Sequence, residues 1–305
     1  MQNRDETIIR VAILYYEEGI TQTQIAKTLN ISRPTVATML QEAREKGIVK
    51  ISIQHSTSHL HELEQALVEK YNIKTVLISP TNNKSGVGKL CADFISQKLP
   101  HIKNLGIGWG STVYEYVSAA QYENLNHISL IPLMGGVGIN DVKYHSNHLV
   151  FTLSTKYNCE VNYFYAPAVA ESVEMRDTLL QTKMIDDILA KGQAVDAAVV
   201  SVGNPVRSST YRYFGLIDDD WADEIYSSGA IGDLLGTFFN RDAQPVYNSI
   251  SERMIGLTID QLSRIKDVIV LATGPEKVES IRALLNNDII DHIIIDQTIA
   301  KELLK

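Results

Sequence analysis

The stretch that most constrains this chain runs from Thr21 to Ile53, TQTQIAKTLNISRPTVATMLQEAREKGIVKISI. Thr21 and Gln24 have the T-x-x-Q spacing of a capping box, which satisfies amide groups at a helix start. A short helix is predicted over 22–29, and Asn30 tolerates the left-handed conformation that ends it. Ser32 then caps a second helix, with Pro34 in the first turn, where a missing N–H costs nothing. Val36, Met39, Leu40 and Ala43 recur at i, i+3, i+4 and i+7, so one face is apolar; Arg33, Thr35, Ala37, Thr38 and Gln41 lie on the other. Gly47 stops this helix. Val49, Ile51 and Ile53 alternate with Lys50 and Ser52, as a wing strand would. A preceding helix over 7–18, with Ile8, Val11, Ala12 and Tyr15 on one face, packs behind these two.

This is a winged helix-turn-helix pattern, a small all-α head whose second helix enters the DNA major groove and presents its N-terminal residues to base edges. Ser32, Arg33, Thr35 and Thr38 are the candidate readers; Gln22, Pro34 and Gln41 complete the candidate DNA-contacting set. The competing reading, a helical hairpin in an α-rich core, does not require caps, turn and polar face to agree as they do. Residues 1–55 hold seven Lys/Arg and six Asp/Glu, a net of +1, whereas the rest of the chain carries −9. DNA binding is thus expected of the head alone, with two or more weakly basic heads compensating through effective concentration.

At 305 residues the chain holds more than one domain, and 45% hydrophobic residues suffice for a real core. The expected divisions are a head over 1–54, a linker helix over 55–72 with Leu60, Leu63 and Leu67 in a stripe, and a body over 73–305. That stripe fits either a packed connector or a pairing with a second copy. From Ile73, short apolar runs alternate with helix-length segments, which predicts strands over 75–78, 104–108, 128–134, 197–202, 268–272 and 292–295. Continuous apolar strands separated by helices indicate an α/β domain, a parallel sheet with helices on both faces, and ligands bind beyond the carboxyl ends of such strands. Cys91 and Cys159 read as buried thiols of a reducing cytoplasm. The N-terminus MQNRDET has no apolar leader, and no run approaches the ~18 apolar residues of a membrane span.

Four glycine-bearing loops are candidates for a ligand site. Gly106–Thr112 (GIGWGST) would let backbone approach a ligand and offer amides and hydroxyls at a helix start to an anion. Leu133–Gly138 is a second such strand end. Ile231–Gly236 places the carboxylate of Asp233 in an apolar stretch, where burial demands partners such as sugar hydroxyls or backbone amides. Ala272–Lys277 puts Lys277 at a helix start, where it could meet a phosphate or simply solvent. Together the loops suggest a pocket for a small, polyhydroxylated, anionic molecule. His145 and His148, or His59 and His61, lack the supporting ligands of a metal site, and no cofactor motif or catalytic acid/base pair is present.

The chain resembles the SorC family of bacterial sugar-responsive transcriptional regulators over nearly its whole length. The likeness is carried by LYYEEGITQTQIAKTLNISRPTVATML in the head, GIGWGST (106–112), PLMGG (132–136), APAVAES (166–172), GDLLGTFF (232–239), ATGPEKVESIRALL (272–285) and IIIDQTIAKELL (293–304). The resemblance implies a winged helix-turn-helix joined to an effector domain similar to sugar-phosphate isomerases, a dimer or tetramer, and operator DNA and a sugar or sugar phosphate as partners. It assigns the effector pocket to Gly108, Gly110, Ser111, Thr112, Asn147, Asp233, Leu235 and Lys277, with phosphate at 110–112 and Lys277. Three departures stand out. Ala37-Thr38 replaces a frequent Ser-Arg, removing an arginine from the reading helix. Met134 stands where some relatives have lysine, which suggests an apolar contact in place of imine chemistry. Thr273-Gly274 replaces two glycines. The leading expectation is therefore a regulator without enzyme activity. The alternatives are a sugar-phosphate-metabolising enzyme with a regulatory DNA-binding head and a constitutive DNA-binding scaffold.

Overall fold

The computed structural model describes residues 4–49, 58–136, 142–205 and 219–305. The chain divides into two compact units, Met1–Ser56 and Thr57–Lys305.

The first unit is a three-helix head of α1 (Arg4–Tyr16), α2 (Gln22–Thr28) and α3 (Arg33–Glu45). Its core holds the expected Ile8, Val11 and Ala12 of α1 and Val36, Met39, Leu40 and Ala43 of α3, joined by Ile25 and Ala26 of α2; Tyr15, expected on the same face of α1, is only half-buried against it. The Thr21–Gln24 box closes in both directions, Thr21 N donating to Gln24 Oε1 at 3.2 Å and Gln24 N to Thr21 Oγ1 at 3.4 Å. Asn30 takes φ 53° and Gly47 φ 71°, the left-handed values that end the two helices. Helix α1 begins earlier than its apolar stripe suggests, because Arg4 pairs with Glu42 and Asp5 with Lys46 across to α3. The wing expected over 49–53 falls mostly outside the described residues.

The second unit begins with α4 (Ser58–Tyr71), which leads into β1 (Thr75–Ser79), α5 (Lys84–Lys98), β2 (Asn104–Ile107), α6 (Ser111–Ala119) and β3 (Ser129–Pro132). Then come α7 (Ser146–Tyr157), β4 (Glu160–Val161), α8 (Val173–Leu180), α9 (Lys183–Gln193), β5 (Ala197–Gly203) and α10 (Asp219–Ser227). A hairpin of β6 (Gly232–Leu234) and β7 (Thr237–Phe239) precedes α11 (Ile259–Leu262), β8 (Asp267–Ala272), α12 (Val278–Asn286), β9 (His292–Asp296) and α13 (Gln297–Leu304).

Seven strands form a parallel sheet in the order β1-β9-β8-β5-β2-β3-β4. The strands are apolar throughout because both faces are covered. Along β5, Ala198, Val200 and Val202 join the core beneath α4, α9, α12 and α13, while Ala197 and Val199 join the core beneath α5, α6 and α7. The helix expected as a linker is part of this unit. Leu67 is buried, Leu60 and Leu63 pack beside it, and Glu64 Oε1 accepts from Ile78 N at 2.8 Å.

The direction in which strands are added to the sheet reverses between the parallel neighbours β2 and β5. From β2 the chain moves outward to β3 and β4; from β5 it moves the other way, to β8 and β9. That switch point opens a crevice at the carboxyl ends of β2 and β5. The hairpin corrects one expectation: Ile231–Gly236 is not a parallel strand end but an antiparallel extension, with β6 pairing back on the end of β5.

Candidate functional site

A cleft occupies the switch point, lined by Lys84, Trp109–Thr112, Ser201–Gly203, Asp233, Thr273, Glu276 and Lys277. Gly110 has φ 106°, which lets the chain turn directly from β2 into α6, and its amide donates to Tyr144 O at 3.0 Å. No side chain caps α6, so the amides of its first turn and its positive dipole end face the cleft. Lys84 Nζ donates to Ser111 Oγ at 2.7 Å, adding a cation beside that turn. Ser201 Oγ donates to Trp109 O at 3.1 Å and ties the two strand ends together.

Asp233 faces this positive surface from the hairpin. It is 7% exposed, and its Oδ1 is buried without a hydrogen-bond partner among the described residues. Burial raises its pKa to about 6, although the Lys277 charge pulls the other way. The same burial lowers the Lys277 pKa, against the attraction of Asp233 and Glu276. Desolvation outweighs mutual attraction for both groups, as expected of charges that need further polar partners. A ligand hydroxyl donating to Asp233 and an anion accepting from Lys277 would supply them.

Three side chains hold the walls in place. Asn204 Nδ2 donates to Ile231 O at 3.4 Å and Glu276 O at 3.2 Å, joining the hairpin to the loop of Lys277. Ser280 Oγ donates to Ile231 O at 2.8 Å. Asp296, 2% exposed, accepts from Gly274 N at 2.8 Å through one oxygen and from Ile299 N at 2.9 Å through the other. The Gly274 loop, at φ 96°, is thereby fixed to the start of α13.

Of the expected pocket residues, Gly110, Ser111, Thr112, Asp233 and Lys277 meet in the cleft. Gly108 and Leu235 are not among the lining residues; they pack on each other, a β-carbon on Gly108 coming within 3.2 Å of Leu235 Cδ2. Asn147 is engaged elsewhere. Its Nδ2 donates to Phe164 O at 3.0 Å and its Oδ1 accepts from Phe164 N at 2.8 Å. Nor do Met134, Gly135 and Gly136 reach the cleft. Met134 is fully buried and bridges to Gly256, so its thioether fills core and is not the expected ligand contact. Lys84, Ser201, Gly203 and Glu276 were not singled out from sequence. Lys84 follows a polar run with no recognisable motif, though that run is also a strand end.

In the head, Ser32, Arg33, Pro34, Ala37, Thr38 and Gln41 are exposed on α3, while Gln22 and Thr35 are half-buried. Arg33 makes no ion pair or side-chain hydrogen bond among the described residues. Among these residues no cluster of three or more His, Cys, Asp and Glu could hold a metal, and no helix is long and apolar enough to cross a membrane. Cys91 and Cys159 are free thiols, the first buried and the second half-buried.

Comparison with known proteins matches residues 55–305 to the Sugar-bind family of sugar-binding domains and residues 7–50 to a winged helix-turn-helix DNA-binding family. The chain is 27% identical to the Deoxyribonucleoside regulator of Bacillus subtilis over 308 residues, covering 99% of this chain and 98% of that one. Among solved structures, the full-length Sorbitol Operon Regulator SorC from Klebsiella pneumoniae superposes with a TM-score of 0.82 at 25% identity, covering all of both chains. A DeoR family transcriptional regulator from Listeria monocytogenes gives a TM-score of 0.75 at 31% identity over 79% of this chain and 98% of that one.

Proposed function

The chain belongs to the SorC family of sugar-binding transcriptional regulators, and from that premise we propose that a sugar or sugar phosphate held in the switch-point cleft governs the grip of α3 on operator DNA. The observation that carries this reading is Asp233: a buried carboxylate oxygen with no partner among the described residues, in one cleft with Lys84, Lys277 and an uncapped helix start. Hydroxyls satisfy the carboxylate, and a phosphate satisfies the two lysines and the α6 amides. Gly110, Ser111, Thr112, Asp233 and Lys277 make the direct contacts, joined by Lys84, while Gly108 and Leu235 pack on each other.

The DNA side uses Gln22, Ser32, Arg33, Pro34, Thr35, Thr38 and Gln41. Two or four copies act together, since one head with a net charge near +1 is a weak electrostatic partner for DNA. Effector binding shifts the population toward one arrangement of copies and so sets the spacing of their heads; it acts only as far as the ligand prefers that arrangement. The protein works in the cytoplasm, where its operator lies. Relatives matched over the full length are named as regulators, which favours this reading over a sugar-phosphate-metabolising enzyme.

Thermal unfolding against a panel of sugars and sugar phosphates tests the proposal, because a ligand of the folded state raises the midpoint by mass action. A hit should also change the gel-shift affinity for the protein's own promoter region. A panel with no hit, or a hit that leaves DNA affinity untouched, would count against effector control.

A further inference from the structure

The outward face of α3 has fewer available polar groups than its sequence suggests. Pro34, Ala37, Thr38 and Gln41 fall at i, i+3, i+4 and i+7, all exposed, opposite the buried stripe of Val36, Met39, Leu40 and Ala43. Around this stripe several polar groups already hold a partner within the helix, leaving hydroxyl lone pairs and the Gln41 Oε1 open. Ser32 Oγ accepts from Thr35 N at 3.2 Å and lies 2.7 Å from Thr35 Oγ1. Thr38 Oγ1 donates to the Pro34 carbonyl at 3.1 Å. Gln41 Nε2 donates to Glu45 Oε1 at 2.9 Å, and that carboxylate would meet DNA phosphates as a like charge. Arg33 stays uncommitted.

Beside those groups the stripe offers hydrocarbon: the Pro34 ring, the Ala37 β-carbon and the Thr38 methyl. In the major groove only thymine presents a methyl group, and alanine and threonine methyls are suited to it, while arginine is suited to guanine O6 and N7. Resting on the reading of α3 as the DNA-contacting helix, we propose that this helix selects its operator through thymine 5-methyl groups packed on Pro34, Ala37 and Thr38, with Arg33 beside them as a guanine reader. Methyl-bearing readers make this part of sequence choice depend on desolvation more than on hydrogen bonding.

Two substitutions separate the groups of Thr38. Thr38→Val keeps the methyl and removes the hydroxyl; Thr38→Ser does the reverse. The probe is a duplex enriched by the full-length chain from a random pool, and a second version with deoxyuridine replacing thymidine in each half-site. Loss of one packed methyl should weaken the parent protein about fourfold, the worth of one buried methylene-sized group, so two half-sites each lacking one should bind about 16-fold more weakly. Whatever its absolute affinity, Thr38→Val should keep the parent's deoxyuridine penalty. Thr38→Ser should bind the thymidine duplex more weakly by a similar factor and show a smaller penalty. The inference is overturned if Thr38→Val loses the penalty as Thr38→Ser does, or if the parent binds both duplexes equally. A chain that enriches no duplex overturns it together with the reading it rests on; the other two outcomes leave that reading intact.

Discussion

Gly203 stands opposite Asp233 where β6 pairs back on β5, and a β-carbon on Gly203 would overlap the Asp233 carboxylate. The glycine is therefore what allows an acidic side chain to turn into the cleft at this register. Gly203→Ala should push the carboxylate out of place and cost about 1–3 kcal/mol, the usual range for overpacking. The expected result is a lower unfolding midpoint and loss of the thermal shift given by the effector, with operator binding retained because α3 belongs to a separate unit. An unchanged effector shift would show that Asp233 does not need this position.

The raised Asp233 pKa predicts a pH dependence of the effector-free protein. In the folded chain the group titrates near pH 6, above its ordinary value of 3.8, because burial disfavours the charged form. The stability it contributes is thus fully present below the ordinary value and is lost as pH rises through about 6. Asp233→Asn keeps a neutral polar group and should flatten this component. Melting curves of both proteins between those pH values should diverge; parallel curves would mean that the carboxyl is not buried in solution. Effector affinity should move the opposite way in the parent, rising as the carboxylate forms, because ligand hydroxyls donate to the charged form.

The head is legible in sequence because each of its signals is local. A capping box, a left-handed asparagine, a capped second helix and an apolar stripe all fall within one short stretch, and the chain folds them as written. The six longer parallel strands are legible for a similar reason, as runs of β-branched and apolar residues buried on both faces. Less visible are elements defined by long-range pairing. The two-residue β4 and three-residue β6 exist only because a neighbouring strand is present to receive them. Lys84 reaches Ser111 across 27 residues, and Asp296 anchors Gly274 across 22. No spacing rule in a single sequence announces such partners. Asn147 illustrates the converse: a polar residue in the right region whose hydrogen-bonding capacity is spent on the Phe164 backbone.

Arg33 is exposed and pairs with no acidic residue among the described residues, so its removal has little to disturb in the fold. Arg33→Ala should leave the unfolding midpoint of the head nearly unchanged while weakening operator binding by about 1–3 kcal/mol, the cost of one lost bidentate base contact. Sequence preference should relax at a single guanine in each half-site. If gel-shift affinity were unaltered, the reading helix would have to contact DNA through a different face.

The two lysines of the cleft should differ in how salt affects them. Lys84 is exposed at the start of α5, whereas Lys277 is half-buried and close enough to Asp233 for each to shift the other. A charged hydrogen bond is worth about 1.5–3 kcal/mol, so either Lys→Met change should weaken a phosphorylated sugar by roughly 10- to 100-fold. The contribution of Lys84 is open to screening and should shrink as ionic strength rises, while that of Lys277 should persist. Lys277→Met carries a second consequence, since it removes a charge that holds the Asp233 pKa down. Asp233 should then titrate above 6, and the rise of effector affinity with pH should move upward with it. Calorimetric titration of both variants at low and high salt, repeated across pH, reads these effects separately. An unchanged affinity in Lys277→Met would place the phosphate away from Lys277; equal salt dependence in the two variants would show the two lysines equally screened, and an Asp233 transition unmoved by Lys277→Met would show that the two groups are not coupled.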